Sequence, residues 1–427
     1  MPNEEKREFT FISEQIKKKP FYRKKWFLNS AAGIGLAVLF GGTAGITFAM
    51  VKPWAEAQFG EPDAPQQIVI EQEEPDTETE PERQVQTETQ TEQAEPETVI
   101  EEKELEISDY AKLYQKLYQV GNSVMDSVVT VTGETDNMDW TTEAIGGQIR
   151  MSGLIFAENN QNYYILTGTS GLSTTGQITV EFCNGAMAGG SVQSQDAVTG
   201  CAVVTVPVSE LTQKTKGAIS TATLGSSAGT SQGTPVIAIG STQDNGHSMT
   251  FGMISSVAET AVTDSQYTVL TTDIAGSGTE SGILADLEGN IIGIISQGIG
   301  ESLYSQTITA LGISDMKYMM EAMSNGQSMP YLGITGYEIS ETVSRQNAVP
   351  QGLYIKEVAA DSPAMYAGIQ VGIDILTQID GEPIKTMQDY ITQLRGHAPG
   401  ETIRLKLKRR GLDGYVDLEV EVTLEYK

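Results

Sequence analysis

Residues 271–294 read TTDIAGSGTESGILADLEGNIIGI. β-Branched residues run up to Asp273, a Gly- and Ser-rich loop follows, and the apolar runs Ile283–Ala285 and Ile291–Ile294 flank the polar turn Asp286–Asn290. Short apolar runs bounded by Gly, Asn and Asp predict strands joined by turns. Ser281 sits in this Gly-rich loop, where an exposed hydroxyl is either a nucleophile or a plain polar turn residue.

The same texture extends on both sides. SVVTVTG (127–133), GLIFAENNQNYYILTG (153–168), GQITVEFCNG (176–185), CAVVTVP (201–207), PVIAIG (235–240), MTFGMISSVAE (249–259) and YTVLTTD (267–273) are β-branched or alternating runs. NNQN predicts a hairpin turn, and a short helix is expected over Tyr110–Val120. Many short strands at this spacing predict a closed or sandwiched all-β domain.

The order of these segments resembles the trypsin-like domain of the HtrA (Deg) envelope serine proteases, over 107–326. The resemblance rests on SVVTV, the SGLIF…YYILT hairpin, AVV, GTPVIAIG, FGMISS, TTDIAGSGTESGILADLEGNIIGI and GISDMKYMMEAM. It implies two β-barrels with a catalytic cleft between them. Hydrolysis there needs a histidine base, an aspartate to orient it and an oxyanion hole. The resemblance places the base at Ser170, within TGTSGL, and the orienting aspartate at Gly200, at the head of GCAVV. The nucleophile position falls on Ser281 when counted forward from Asp273 and on Glu280 when counted back from LADLEG. The chain has only two histidines, His247 in the turn QDNGHS and His397 near the C-terminus. This pattern points to a pseudoprotease with no intact catalytic set; the alternative is an active HtrA-type endopeptidase of envelope quality control.

From 327 to 427 the sequence resembles a bacterial PDZ domain, carried by SPAMYAGI, ILTQIDGEPI and APGETIRLKLKR. Independently, SPAMYAGI has a Ser-Pro helix start and a closing glycine, and TMQDYITQL puts Met387, Tyr390, Ile391 and Leu394 on one helical face. The resemblance implies capture of a peptide C-terminus as an added strand. Tyr331, Leu332, Gly333 and Ile334 are the implied carboxylate-binding loop, and Met387 and Ile391 either line an apolar pocket or belong to the core.

The N-terminal region has other physics. No charged residue occurs from Trp26 to Val51, and at about 1.5 Å per helical residue this run exceeds the roughly 30 Å hydrocarbon of a bilayer. Lys17, Lys18, Lys19, Arg23, Lys24 and Lys25 precede it, so 1–25 is expected in the cytoplasm, 26–51 as a transmembrane helix and the rest outside the cell membrane. The alternative is a signal peptide cut near Ala55-Glu56-Ala57. Gly41 and Gly45 have the spacing of helix pairing, so a homo- or hetero-oligomer is open. Residues 52–106 are rich in Glu, Thr, Gln and Pro and are expected to form a disordered acidic linker.

A formal net charge of -29 excludes a nucleic-acid partner, because phosphate contacts need clustered bases. Two cysteines, Cys183 and Cys201, and two histidines imply neither a metal site nor a cofactor; the cysteines are read as strand residues, with a single disulfide as the alternative. The expected partners are C-terminal or unfolded peptide segments of envelope proteins. The fold class is therefore mainly β: a trypsin-like double β-barrel followed by an α+β PDZ domain, preceded by one transmembrane helix and a disordered acidic linker.

Overall fold

Alternating β-branched strands close into two barrels. The computed structural model describes residues 66–73, 106–134, 148–169, 172, 177–241, 248–276, 281–295 and 306–426, all in the unit Gln66–Lys427. The basic segment, the apolar run and most of the acidic stretch lie outside the described residues. Among the described residues no helix is long and apolar enough to cross a membrane.

The first barrel contains β1 (Val128–Glu134), β2 (Gln148–Glu158), β3 (Asn162–Gly168), β4 (Ile178–Glu181), β5 (Met187–Asp196) and β6 (Cys201–Pro207), closed in the order β1-β2-β3-β6-β5-β4. The second contains β7 (Pro235–Ser241), β8 (Ser248–Val262), β9 (Ser265–Ala275), β10 (Ser281–Ala285), β11 (Ile291–Ile295) and β12 (Thr307–Gly312), closed as β10-β11-β12-β9-β8-β7. Closure removes the unpaired edges that open sheets expose. The period of two sorts the side chains. Val129 and Val131 fill the first barrel with Ile155 and Val204, while Val128 joins Leu154, Ile237 and Ile283 in a cluster between the barrels.

The helix expected at Tyr110–Val120 runs further at both ends, as α1 (Ile107–Met125), with Glu106 and Asp109 in a reciprocal capping box at its start. NNQN is a turn, in which Asn159 Oδ1 accepts the Gln161 and Asn162 amide protons at 3.0 and 2.8 Å. The short α2 (Gln213–Lys216) follows the first barrel, and α3 (Ile313–Ser324) follows the second. Met316, Met319, Met320 and Met323 of α3 enter the inter-barrel cluster. Cys201 is buried in β6 and Cys183 is exposed, and no disulfide joins the two.

Residues 66–73 depart from the expected disordered linker: they are docked on α3, on Asn159 and Asn160 of the β2–β3 turn and on Ser226. Ile68 is buried; its N–H donates to Asn325 Oδ1 at 2.9 Å, and Asn325 Nδ2 donates to its carbonyl at 2.8 Å. Glu73 meets Lys317 at 2.7 Å. An apolar anchor and a carboxylate aimed at a buried lysine order eight residues that composition alone assigns to solvent.

The C-terminal sheet contains β14 (Ile334–Ile339), β15 (Gly352–Val358), β16 (Asp374–Ile379), β18 (Thr402–Arg410) and β19 (Tyr415–Thr423) in that order, with β17 (Glu382–Pro383) paired to β16; β13 (Pro330–Tyr331) pairs with β20 (Glu425–Tyr426). The helices are α4 (Glu341–Asn347), α5 (Pro363–Tyr366) and α6 (Met387–Arg395). Ser362 caps α5, accepting the Met365 N–H at 3.2 Å. Asp374, fully buried, takes two 2.7 Å hydrogen bonds from the Arg409 guanidinium and one of 2.8 Å from the Gln370 N–H. Arg395 of α6 stacks over the Tyr318 ring of α3 at 4.4 Å.

Candidate functional site

Antiparallel pairing of β3 with β6 sets Gly168 opposite Cys201, and the Thr169 N–H donates to Gly200 O at 2.8 Å. Gly200 has φ +67, closing a turn held by Asp196, whose Oδ2 accepts the Thr199 N–H and hydroxyl at 2.9 and 2.7 Å. Gly200, Cys201, Ser281 and Gly282 line one cavity between the barrels. Two sequence-selected positions, Gly200 and Ser281, are thus brought together; Ser170 and Glu280 lie outside the described residues.

Ser281 opens β10 and is buried. Its Oγ accepts the Ser152 N–H of the first barrel at 2.8 Å. Ser152 in turn accepts the Ser241 N–H at its Oγ, at 2.7 Å, and the Thr167 hydroxyl proton at its carbonyl, at 3.0 Å. Ser152 therefore ties β2 to β3, β7 and β10. Beside it Gly240 and Gly282 face each other across β7 and β10 with φ +150 and +152, and a Cβ on Gly282 would lie 2.2 Å from Ile239 O. Of the two histidines, His247 lies outside the described residues. His397 belongs to the C-terminal domain, 3.1 Å from Glu401 and 3.6 Å from Asp380.

The second site is built on the Tyr331–Ile334 loop. Gly333 has φ +91, and a Cβ there would lie 2.2 Å from the Ser362 Cβ, so glycine is required. With this backbone the Leu332 and Gly333 amides donate to Asp264 Oδ2 at 2.8 and 2.6 Å, and the Ile334 amide donates to Oδ1 at 3.0 Å. Successive N–H groups converging on one carboxylate form an anion-binding nest. The fully buried Tyr390 of α6 adds its hydroxyl to Oδ1 at 2.5 Å. Burial pushes the Asp264 carboxyl up from the usual carboxylate range, against these four donors. Burial and the Asp264 charge push the Tyr390 hydroxyl well up.

The loop expected to receive a peptide C-terminus holds instead the side-chain carboxylate of Asp264, from the β8–β9 hairpin. Leu332 and Ile334 point into the domain core with Met387 and Ile391. Of the two readings of Met387 and Ile391, these contacts are those of core residues. Tyr331 is half-buried. Sequence reasoning missed Asp264, Ser152 and the hydroxyl role of Tyr390. The positive φ of Asp264, +57, is a signature Asp tolerates, but TDS reads as an ordinary turn.

A trypsin-like peptidase domain model matches residues 151–294, and a PDZ domain model matches residues 354–409. Among curated proteins, the serine protease Do-like HtrA of Lactobacillus helveticus is 28% identical over 291 residues, covering 64% of this chain and 68% of that protein. The chain is HtrA-like. The serine protease Do-like HtrA of Bacillus subtilis is also 28% identical, over 61% of each chain, and its HtrB is 28% identical with 54% of its own length covered. The HtrA-like chain thus spans between about half and two thirds of the curated relatives it matches. In fold it is similar to the HtrA-type protease AlgW with tripeptide, with a TM-score of 0.52 at 20% identity, covering 73% of this chain and 97% of that one. It is similar also to a serine endoprotease from Yersinia pestis, with a TM-score of 0.50 at 23% identity, covering 73% and 98%.

Proposed function

We propose that this HtrA-like chain is a membrane-anchored, extracytoplasmic pseudoprotease that captures the C-terminal or unfolded segments of envelope peptides through its PDZ domain. The observation that carries the binding half is the nest of the Leu332, Gly333 and Ile334 amides, which holds a carboxylate without a lysine or arginine among its hydrogen-bond partners. The loop leads directly into β14, an end strand of its sheet, the position from which strand addition recruits an extended peptide. A solved HtrA-type structure contains a decapeptide, in keeping with this reading.

The pseudoprotease half is supported by the residues aligned with the base and its partner, Ser170 and Gly200. It is supported too by the Ser281 hydroxyl, which is engaged as an acceptor for a backbone amide. A serine without a base within about 3 Å is a weak nucleophile. The uncharged run Trp26–Val51 behind six clustered bases supports the anchor. The competing reading, an active HtrA-type endopeptidase, draws on the serine protease relatives and on Ser281 lining the inter-barrel cavity.

The full chain is tested with fluorescent unfolded casein and with a terminally labelled hydrophobic peptide. The expected result is no casein turnover, together with peptide binding that disappears when the terminal carboxylate is amidated. Casein turnover that vanishes in Ser281→Ala overturns the pseudoprotease reading; binding indifferent to amidation overturns the nest as the peptide site.

A further inference from the structure

The peptide reading leaves Asp264 unexplained, because the nest it assigns to a peptide terminus is already filled. Asp264 sits at the tip of the hairpin joining β8 to β9, where Val262 pairs with Ser265 across a two-residue turn. It satisfies the loop from two sides. Its carboxylate takes the Leu332, Gly333 and Ile334 amide protons, and its own N–H donates to Ile334 O at 2.8 Å. A strand-adding peptide offers this same pair of groups at its last residue: a carboxylate for the nest, and a backbone N–H for the first carbonyl of the edge strand. Asp264 presents both from within the chain.

We propose that Asp264 is an internal ligand of the PDZ domain, and that a peptide C-terminus binds only by displacing the β8–β9 hairpin from the loop. The inference rests on the peptide-capture reading above and adds its regulation.

Three features make displacement feasible. The exchange is charge-neutral, one carboxylate for another, so no cation has to follow. The nest is rigid, since Gly333 is packed against Ser362 and Leu332 and Ile334 are anchored in the core. A ligand therefore leaves behind a formed site rather than a collapsed one. The contact centres on a hairpin tip, where Asp264 is held by polar bonds from the loop and from the Tyr390 hydroxyl. A carboxylate tethered in place competes at a high effective concentration, so apparent affinity for a free peptide falls in proportion to the time the hairpin is released.

The same hairpin belongs to the barrel that carries Ser281. β8 pairs with β7, and β7 pairs with β10 so that Ser281 lies opposite Ser241. Peptide capture and release of a hairpin of that barrel are then a single event.

The test compares the full chain with Asp264→Ala and Asp264→Asn, using a fluorescent hydrophobic peptide with a free C-terminus and its amidated twin. It also measures hydrogen exchange at the Leu332, Gly333 and Ile334 amides without peptide. The expected result is binding at least tenfold tighter in Asp264→Ala than in wild type, an intermediate value for Asp264→Asn, and faster exchange of the three amides in Asp264→Ala. Asp264→Asn keeps the shape and one acceptor oxygen, so it remains informative if the alanine variant folds poorly. Equal affinity in wild type and both variants overturns the proposal while leaving peptide capture standing. Absence of binding in every variant overturns peptide capture and with it the competition, whereas unchanged exchange overturns the internal ligand by itself.

Discussion

The hydroxyl of Ser281 accepts the amide proton of Ser152 at 2.8 Å, and this bond crosses from the second barrel to the first. A serine lining the inter-barrel cavity is here a structural acceptor. Ser281→Ala leaves the buried Ser152 N–H without that partner and is expected to destabilise the barrels by about 1–3 kcal/mol. Urea unfolding of the two chains checks this; a loss below about 0.5 kcal/mol contradicts the role assigned to the bond.

The facing glycines beside Ser281 should be far less tolerant. A Cβ on Gly282 meets Ile239 O at 2.2 Å and one on Gly240 meets Ser281 O at 2.3 Å, both against backbone. Gly282→Ala is therefore expected to cost at least about 3 kcal/mol. Gly185, with φ +77 and open space around it, provides the control: Gly185→Ala should cost about 1–2 kcal/mol from backbone conformation alone. Similar losses in both variants contradict the packing argument.

Much of this architecture is legible in the sequence. Val128 to Val131 alternate between two cores, and the turns at NNQN and DLEGN are local in origin, so the barrels follow from patterns within a few residues. The Tyr331–Ile334 loop is legible through its resemblance and its glycine. What escapes is set at long range. Ile68 is ordered by Asn325, which lies 257 positions away, and an acidic tract gives no local sign of such a partner. Asp264 acquires its meaning only when a hairpin tip meets a loop about 70 residues downstream, and composition carries no trace of that meeting.

In the PDZ domain, Arg409→Met strands the buried Asp374 carboxylate, which retains only the Gln370 amide among the bonds described above. The expected cost is about 3 kcal/mol, the lower end for a broken buried pair, since the arginine is itself partly exposed. Thermal unfolding checks it; replacing both partners, as in Asp374→Leu with Arg409→Met, should recover part of the loss.

Acid should act on two carboxylates with opposite sign. Burial raises the Glu73 carboxyl, but hydrogen bonds from Lys317, Ser226 and Ser314 outweigh it, leaving a net lowering. Its docking is thus fully present above the ordinary glutamate range near 4.3 and is lost as pH falls through the lowered docked value. Asp264 is raised, so its contribution is fully present below the ordinary aspartate range and is lost as pH rises through the raised folded value. Tyr390 and Tyr331 are the titratable side chains beside it, both pushed up, so they stay neutral across this window. Hydrogen exchange, corrected for intrinsic rate, should show the Ile68 and Ile70 amides losing protection towards acid while the Leu332–Ile334 amides gain it. Parallel trends at the two places contradict the assignment.

The docking of residues 66–73 on α3 also sets how the molecule bears tension. A pull transmitted along the chain from the N-terminal side meets the Gln66 bonds to Asn159 and Asn160 of the β2–β3 turn first, then the Ile68–Asn325 amide pair, the Ile70 bond to Glu321 and Glu73 on Lys317. Beyond Gln66 the bonds named are made by side chains of α3 and its C-cap residue, and they are expected to yield one after another. A strap held by such bonds in series is expected to peel residue by residue under force.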